Sequence, residues 1–395
     1  MKNFLFTVIA TCTISLAVAQ PHLTATQQQA TDMFKAGKPE EAIPLFKKAL
    51  AENAADLYSI NALSILYYNS SKYAEAYAVA GKGVTASHGE IPFVSMQSKA
   101  GYQLGKYAEV IKLVDDYNGK NTPDAGLLYI KGEALQAKGD MQGALTAYSQ
   151  GIAANAANAD PYLGRGKVFS ELGRYALAIK DYDKYISLVP GDAGGYSFRG
   201  VAYANSGKSA EALADYNKAI DLNPKDYLAI FHRGEIYAAQ NNTAGATTDF
   251  NTAISLSPNY PNTYCQLARL YTTTQQSAKA LVAINKALAI DAGRADFYNE
   301  LSRAQSAADH YPEALAAAEK AIALAPKDGE GYMWKAIALS NAGKAEEGIA
   351  AATAGIALSP AYYLLYTTRA SIYRMNGKTA QADADDAKAK ELAAK

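Results

Sequence analysis

Net charge is absent from this 395-residue sequence, in which 38 Lys and Arg face 38 Asp and Glu. That balance excludes a dedicated nucleic-acid binder, which needs excess basic surface to displace counterions from phosphates. No polybasic run marks the chain for an anionic membrane either. Gly/Ser-rich and other low-complexity linkers are missing, so composition draws no domain boundary, although the length exceeds what one compact core holds. Histidine is scarce: His22, His88, His232 and His310 are the only four, and no two stand at metal-ligand spacing. The "GKG" at residues 81–83 closes a helical pattern instead of following a strand, so it is no phosphate loop. No serine sits in a nucleophile elbow. Catalytic residues, a cofactor site and a metal site are therefore not expected, and the chain does not read as an enzyme.

The one long apolar run lies at the N-terminus, in "MKNFLFTVIATCTISLAVAQ". Lys2 supplies a basic start, residues 4–18 an apolar core, and Ala17-Val18-Ala19 a small-residue cleavage site. This is the pattern of a secretory signal peptide over residues 1–19, removed after Ala19. A membrane anchor competes, but the run falls short of the roughly 20 residues a bilayer requires. A lipoprotein signal at Cys12 competes less well, because Thr11 precedes it. Cleavage would leave Cys265 as the only cysteine, so no intramolecular disulfide could form and packing alone would have to hold an exported chain together.

What the sequence does contain is a period. Proline recurs at 190, 224, 258, 326 and 360, with every gap 34 residues or twice 34. With this proline set at slot 32, repeats begin at 23, 57, 91, 125, 159, 193, 227, 261, 295, 329 and 363 and run to the last residue without an insertion. Slot 8 is small throughout, from Ala30 through Gly132, Gly166, Gly200 and Gly234 to Ala370. Slot 20 is Ala or Gly in all but one repeat, the third having Val110. Slot 24 is often aromatic, as in Phe46, Tyr148, Tyr182, Tyr216 and Phe250. Small residues predict two closely approaching helices with aromatics filling the groove between them. Glycine at slot 15, for example Gly37, Gly139 and Gly207, predicts the left-handed turn that ends the first helix. Proline at slot 32 stops the second.

This pattern resembles the tetratricopeptide repeat (TPR), with "YSFRGVAYANSGKSAEALADYNKAIDLNP" at residues 196–224 as its best copy. The resemblance covers residues 23–395. It implies an all-α, right-handed superhelical solenoid of about eleven helix-turn-helix repeats, each burying its apolar face only against neighbours. It departs from the family pattern at Gly101, where an aromatic is usual, and at Ala318 and Ala352 in slot 24. The polar first helix and the acidic last one suit terminal repeats with a wet outer face.

Slot 7, normally apolar in such repeats, is Arg in four: Arg165, Arg199, Arg233 and Arg369. Slot 23 is Asp in the same four, Asp181, Asp215, Asp249 and Asp385, and in none of the other seven. A structural ion pair within each repeat is the simplest account; a ligand-binding arginine is the alternative.

The resemblance also implies that the first helices line a concave surface through slots 2, 5, 9, 12 and 13. Candidate binding residues there are Lys99, Tyr129, Glu133, Lys167, Phe231, Glu235, Arg269, Asn299 and Arg303, joined by Trp334 at slot 6 as an aromatic anchor. The expected groove mixes exposed aromatics with both charge signs and suits a peptide or a partner protein. A solvated face with incidental aromatics is the plainer reading, and a glycan or peptidoglycan fragment is the rival ligand. No repeat pairs Lys at slot 5 with Asn at slot 9, so a chaperone-type carboxylate clamp is absent. Cys265, at slot 5, reads equally as a buried small residue or as an exposed thiol. Leader and resemblance together imply an exported interaction scaffold, periplasmic or secreted, of a Gram-negative bacterium, with a role in envelope assembly or secretion and no stable membrane insertion.

Overall fold

The structure is a computed structural model that describes residues 23–394; the expected signal peptide and Cys12 lie outside them. The described residues form 22 α-helices and no strand, from Ala25–Lys35 to Thr379–Ala393. The helices come in eleven pairs, one pair per 34-residue period. Repeat 6 is typical, with a first helix Ala193–Asn205 and a second helix Ser209–Leu222.

The boundaries follow from single residues. Second helices end at Leu188, Leu222, Leu256, Leu324 and Leu358, two positions before the slot-32 prolines. Five first helices are capped by aspartate: Asp56, Asp124, Asp192, Asp226 and Asp328 each accept a backbone N–H of the first turn. Slot 15 has positive φ in every repeat. Seven are glycines at +70° to +83°, and the other four are Ser71, Asn241, Gln275 and Asp309 at +58° to +61°. The turn geometry is thus constant even where the residue best suited to it is absent.

Packing within a pair depends on slot 8. A Cβ added at Gly132 would lie 2.4 Å from the Tyr148 ring, and one at Gly166 or Gly200 2.7 Å from Tyr182 or Tyr216. These aromatics are fully buried. In these repeats slot 8 is glycine because the slot-24 ring of the same repeat occupies the space a side chain would need. The first helix is less wet than its composition suggests. Gln27 and Thr31 are buried, Gln27 donating to Asp56 Oδ2 at 2.6 Å and Thr31 bonding Tyr58 Oη at 2.7 Å.

The slot-7 arginines are forked onto their own repeat's slot-23 aspartates. Arg233 donates from Nε and Nη2 to Asp249 at 2.8 Å each, and Arg165–Asp181, Arg199–Asp215 and Arg369–Asp385 repeat this geometry at 2.7–2.8 Å. The aspartates are buried. A third donor reaches the preceding repeat: Nη1 of Arg165, Arg233 and Arg369 bonds Ser149, Asn217 and Thr353, all at slot 25. Where slot 7 is lysine the reach is the same, Lys131 to Asp115 and Lys335 to Glu319. Slot 7 therefore clips one repeat to the one before it.

The chain divides into two units, one ending at Pro190 and the other beginning at Gly191. The first holds repeats 1–5 and the second repeats 6–11.

Three substitutions test this reading. Asp249→Ala should cost about 2–3 kcal/mol in urea unfolding, below the ~3–5 of a fully buried pair because Arg233 keeps some solvent; a loss within error of zero would refute a structural role. Gln275→Gly should instead stabilise by about 1 kcal/mol by relieving the left-handed residue, whereas Gly200→Ala should destabilise by about 1–3 kcal/mol through its clash with Tyr216.

Candidate ligand-binding face

First-helix slots 2, 5, 9, 12 and 13 converge in the first unit. The first helices of repeats 2 to 5, Leu57–Asn69, Ile91–Gln103, Ala125–Ala137 and Asp160–Glu171, enclose a cavity of about 510 Å³. Its wall carries three tyrosines, Tyr68, Tyr102 and Tyr129, with Lys99, Glu133 and Asp160 between them. Its size falls within the ~300–1,000 Å³ of small-ligand sites.

Three of these groups are held by neighbouring aromatics. The buried slot-24 Tyr148 donates its hydroxyl to Glu133 Oε1 at 2.6 Å, so a core residue aims a wall residue. Tyr129 packs against the same Tyr148 ring, centroids 5.9 Å apart, and Tyr102 against Tyr107 at 5.5 Å. Burial pushes Tyr102 up to about 12, helped by the charge of Glu133, and pushes Tyr129 well up for the same two reasons. Burial also raises the carboxyl of Asp160, against the opposing pull of Lys99 and Lys167. The cavity therefore presents neutral phenols, ammonium groups and carboxylates side by side. Such a set can bind and orient a polar ligand.

Of the residues expected from sequence, the structure brings Lys99, Tyr129 and Glu133 into this cavity and sets Lys167 near enough to act on Asp160. Tyr68 and Tyr102 at slot 12 and Asp160 at slot 2 complete the wall. Their slots were marked by the repeat frame, but a reading centred on slots 5 and 9 passes over them.

In the second unit the expected residues divide differently. Arg269 Nε and Arg303 Nη1 both point at Glu300 Oε2, 3.4 Å away, and Glu300 is only 3% exposed. Burial raises this carboxyl while the two arginines oppose the shift. Glu235 accepts from Gln266 Nε2 at 2.8 Å and pairs with His232 Nδ1 at 2.8 Å. Trp334 is half-buried, its indole N–H on Glu330 Oε1 at 3.3 Å, so it is tied to its own helix.

Phe231 corrects the expectation of an exposed groove aromatic. It is 3% exposed, edge-on to Tyr260 at 5.4 Å and packed on Phe250 at 6.0 Å, because aromatics at slots 24 and 34 of its own repeat close over it. Asn299 is likewise no surface residue: it is 1% exposed, and neither atom of its amide has a hydrogen-bond partner. Cys265 is buried, which settles its two readings in favour of a small core residue. Among the described residues, no group of three or more His, Cys, Asp and Glu could hold a metal ion, and no helix is long and apolar enough to cross a membrane.

Four family models match within residues 128–293. Three carry the description tetratricopeptide repeat, at 128–193, 193–226 and 261–293, and one the description TPR repeat, at 234–275. The chain carries tetratricopeptide repeats. Among solved structures, a tetratricopeptide repeat protein from Parabacteroides merdae shares the fold at 20% identity, covering 62% of this chain and 97% of that one with a TM-score of 0.51. Yeast Tom70 is similar at 16% identity over 93% of this chain and 91% of that one, TM-score 0.48. PilW, a type IV pilus biogenesis factor, is similar at 18% identity over 52% and 96%, TM-score 0.49. No curated protein matches the sequence.

In this TPR chain, burial, with the charge of Glu300 adding to it, pushes the Cys265 thiol up to about 12. A thiol raised on folding adds stability that is full below its unfolded value of about 8.5 and is lost as pH climbs towards the folded one. Cys265 should therefore resist Ellman's reagent in the native protein near pH 8 and react fully in guanidinium. Cys265→Ala should flatten the decline in stability between about pH 9 and 11.

Proposed function

We propose that this chain is a non-catalytic, exported scaffold that binds a segment of a partner protein on the first-helix face, in the periplasm or outside a Gram-negative cell, with envelope assembly or secretion as its setting. The observation that carries the reading is the cavity of about 510 Å³ built from slots 2, 5, 9, 12 and 13 of four successive first helices. Tyrosine faces there would clasp an extended peptide, Glu133 and Asp160 would meet its basic or amide groups, and Lys99 its carboxylates. TPR scaffolds are typically protein-interaction modules, which supports binding as the chemistry of this face. Export rests on the leader-like residues 1–19.

A second reading draws on the same cavity. Three tyrosines beside Asn69, Gln103, Glu133 and Asp160 also form a polar aromatic surface on which a glycan could stack. The ammonium of Lys99 has no counterpart in a neutral sugar and favours the peptide.

Crosslinking and co-purification from envelope extracts would test the proposal, using the wild type and a Lys99→Glu, Tyr102→Ala variant shown to melt at the same temperature. A protein captured by the wild type and reduced about tenfold or more in the variant is expected, since one aromatic anchor is worth ~2 kcal/mol or more. Equal capture by both would move the partner off this face. No captured protein, with the wild type retained on immobilised peptidoglycan fragments, would favour the glycan.

A further inference from the structure

The slot-7 clip is missing from repeats 8 and 9, where the slot holds Leu267 and Leu301 and slot 23 holds Ala283 and Ala317. In repeat 8 the vacated position opens to solvent as a cavity of about 410 Å³ between the second helices of repeats 7 and 8, Thr243–Leu256 and Ser277–Ile290. Leu267 and Ala283 form its floor. Asn251, at slot 25, lines the same cavity, in the place where Asn217 accepts the guanidinium of Arg233 one repeat earlier. At the rim Val282 is 62% exposed and extends the apolar lining outward.

Charge is one-sided here. Residues 243–290 contain a single acid, Asp249, and it is buried in its pair with Arg233. Lys279 and Lys286 stand at the mouth, their ammonium groups over the Tyr271 and Tyr264 rings at 5.5 and 5.8 Å, and neither forms an ion pair among the described residues. Seven residues separate these lysines on one helix, or about 10 Å along its axis. A helix lying alongside would match them with carboxylates at i and i+7, and its side chains at i+3 and i+4 would fall over the cavity.

We propose that this second-helix face is a docking site for an acidic amphipathic helix of a partner protein, whose aliphatic side chains fill the space left by the missing clip while its carboxylates meet Lys279 and Lys286. The site is separate from the first-helix cavity, and its failure would leave that reading untouched.

The probe is a stapled helix of about 15 residues with Leu at i+3 and i+4 and Glu at i and i+7 on an alanine background, compared with the same peptide carrying Lys for Glu. Fluorescence anisotropy should show the Glu peptide binding at least about tenfold more tightly than the Lys peptide, with the preference shrinking as salt rises. Leu267→Arg with Ala283→Asp rebuilds the clip of repeat 7 and should weaken binding by about tenfold or more without loss of helicity. Val282→Asp, at an exposed position that cannot unfold the repeat, should do the same, and Lys279→Glu with Lys286→Glu should invert the peptide preference. Equal binding of both peptides, or unchanged binding after the clip is rebuilt and after Val282→Asp, would overturn the proposal. A concentration-dependent dimer of the wild type that the rebuilt clip abolishes would overturn it too, making the occupant a second copy of this chain.

Discussion

The close approach of two helices at slot 8 governs the rest of the structure. In repeats 4 to 7 the slot-24 ring lies where a slot-8 side chain would be, so these pairs close on a glycine. Once closed, each pair exposes a second apolar side that only a neighbouring pair can cover, and the chain must repeat itself to bury it. The same ring that locks the pair also reaches the functional face: Tyr148 fills the space beside Gly132 and hydrogen-bonds Glu133 at 2.6 Å. Core packing and ligand-facing geometry are thus set by one residue, and the wall of the first-unit cavity inherits the rigidity of the core.

Slot 7 shows how a repeat protein varies the joints between identical units. Arginine there binds its own repeat's aspartate with two donors and the previous repeat's slot 25 with the third; lysine makes only the backward bond; leucine makes neither. The burial of Asp249 is affordable only because the guanidinium satisfies both carboxylate oxygens. Where that satisfaction is given up the aspartate disappears as well, and in repeat 8 the position becomes an apolar space.

Much of this was legible in the sequence because a fixed period turns position into environment. The helix pairs, the left-handed residue at slot 15 and the co-variation of slots 7 and 23 all follow from reading the same slot eleven times. Residues whose surroundings differ between repeats were not legible in that way. Phe231 shares slot 5 with Tyr129, yet Tyr260 and Phe250 bury it while Tyr129 keeps a wall of the cavity. Nothing at slot 5 itself signals the difference, which lies in residues about 20 to 30 positions downstream. Asn299 is harder still: no pattern in its repeat indicates a buried amide without partners, and the structure offers no physical account of why it is retained there.

Near-identical units joined without insertions carry a hazard of their own, since a second helix that formed late could settle against the wrong first helix and leave the chain one repeat out of step. The irregular slot-7 pairs discriminate against that error. Displaced by one period in one direction, Arg233 would face Ala283 instead of Asp249 and keep no carboxylate; displaced in the other, Asp249 would be buried against Leu267 and keep no guanidinium. The scattered distribution of Arg, Lys and Leu thus acts as a set of unequal teeth, allowing a monotonous sequence to assemble in one alignment.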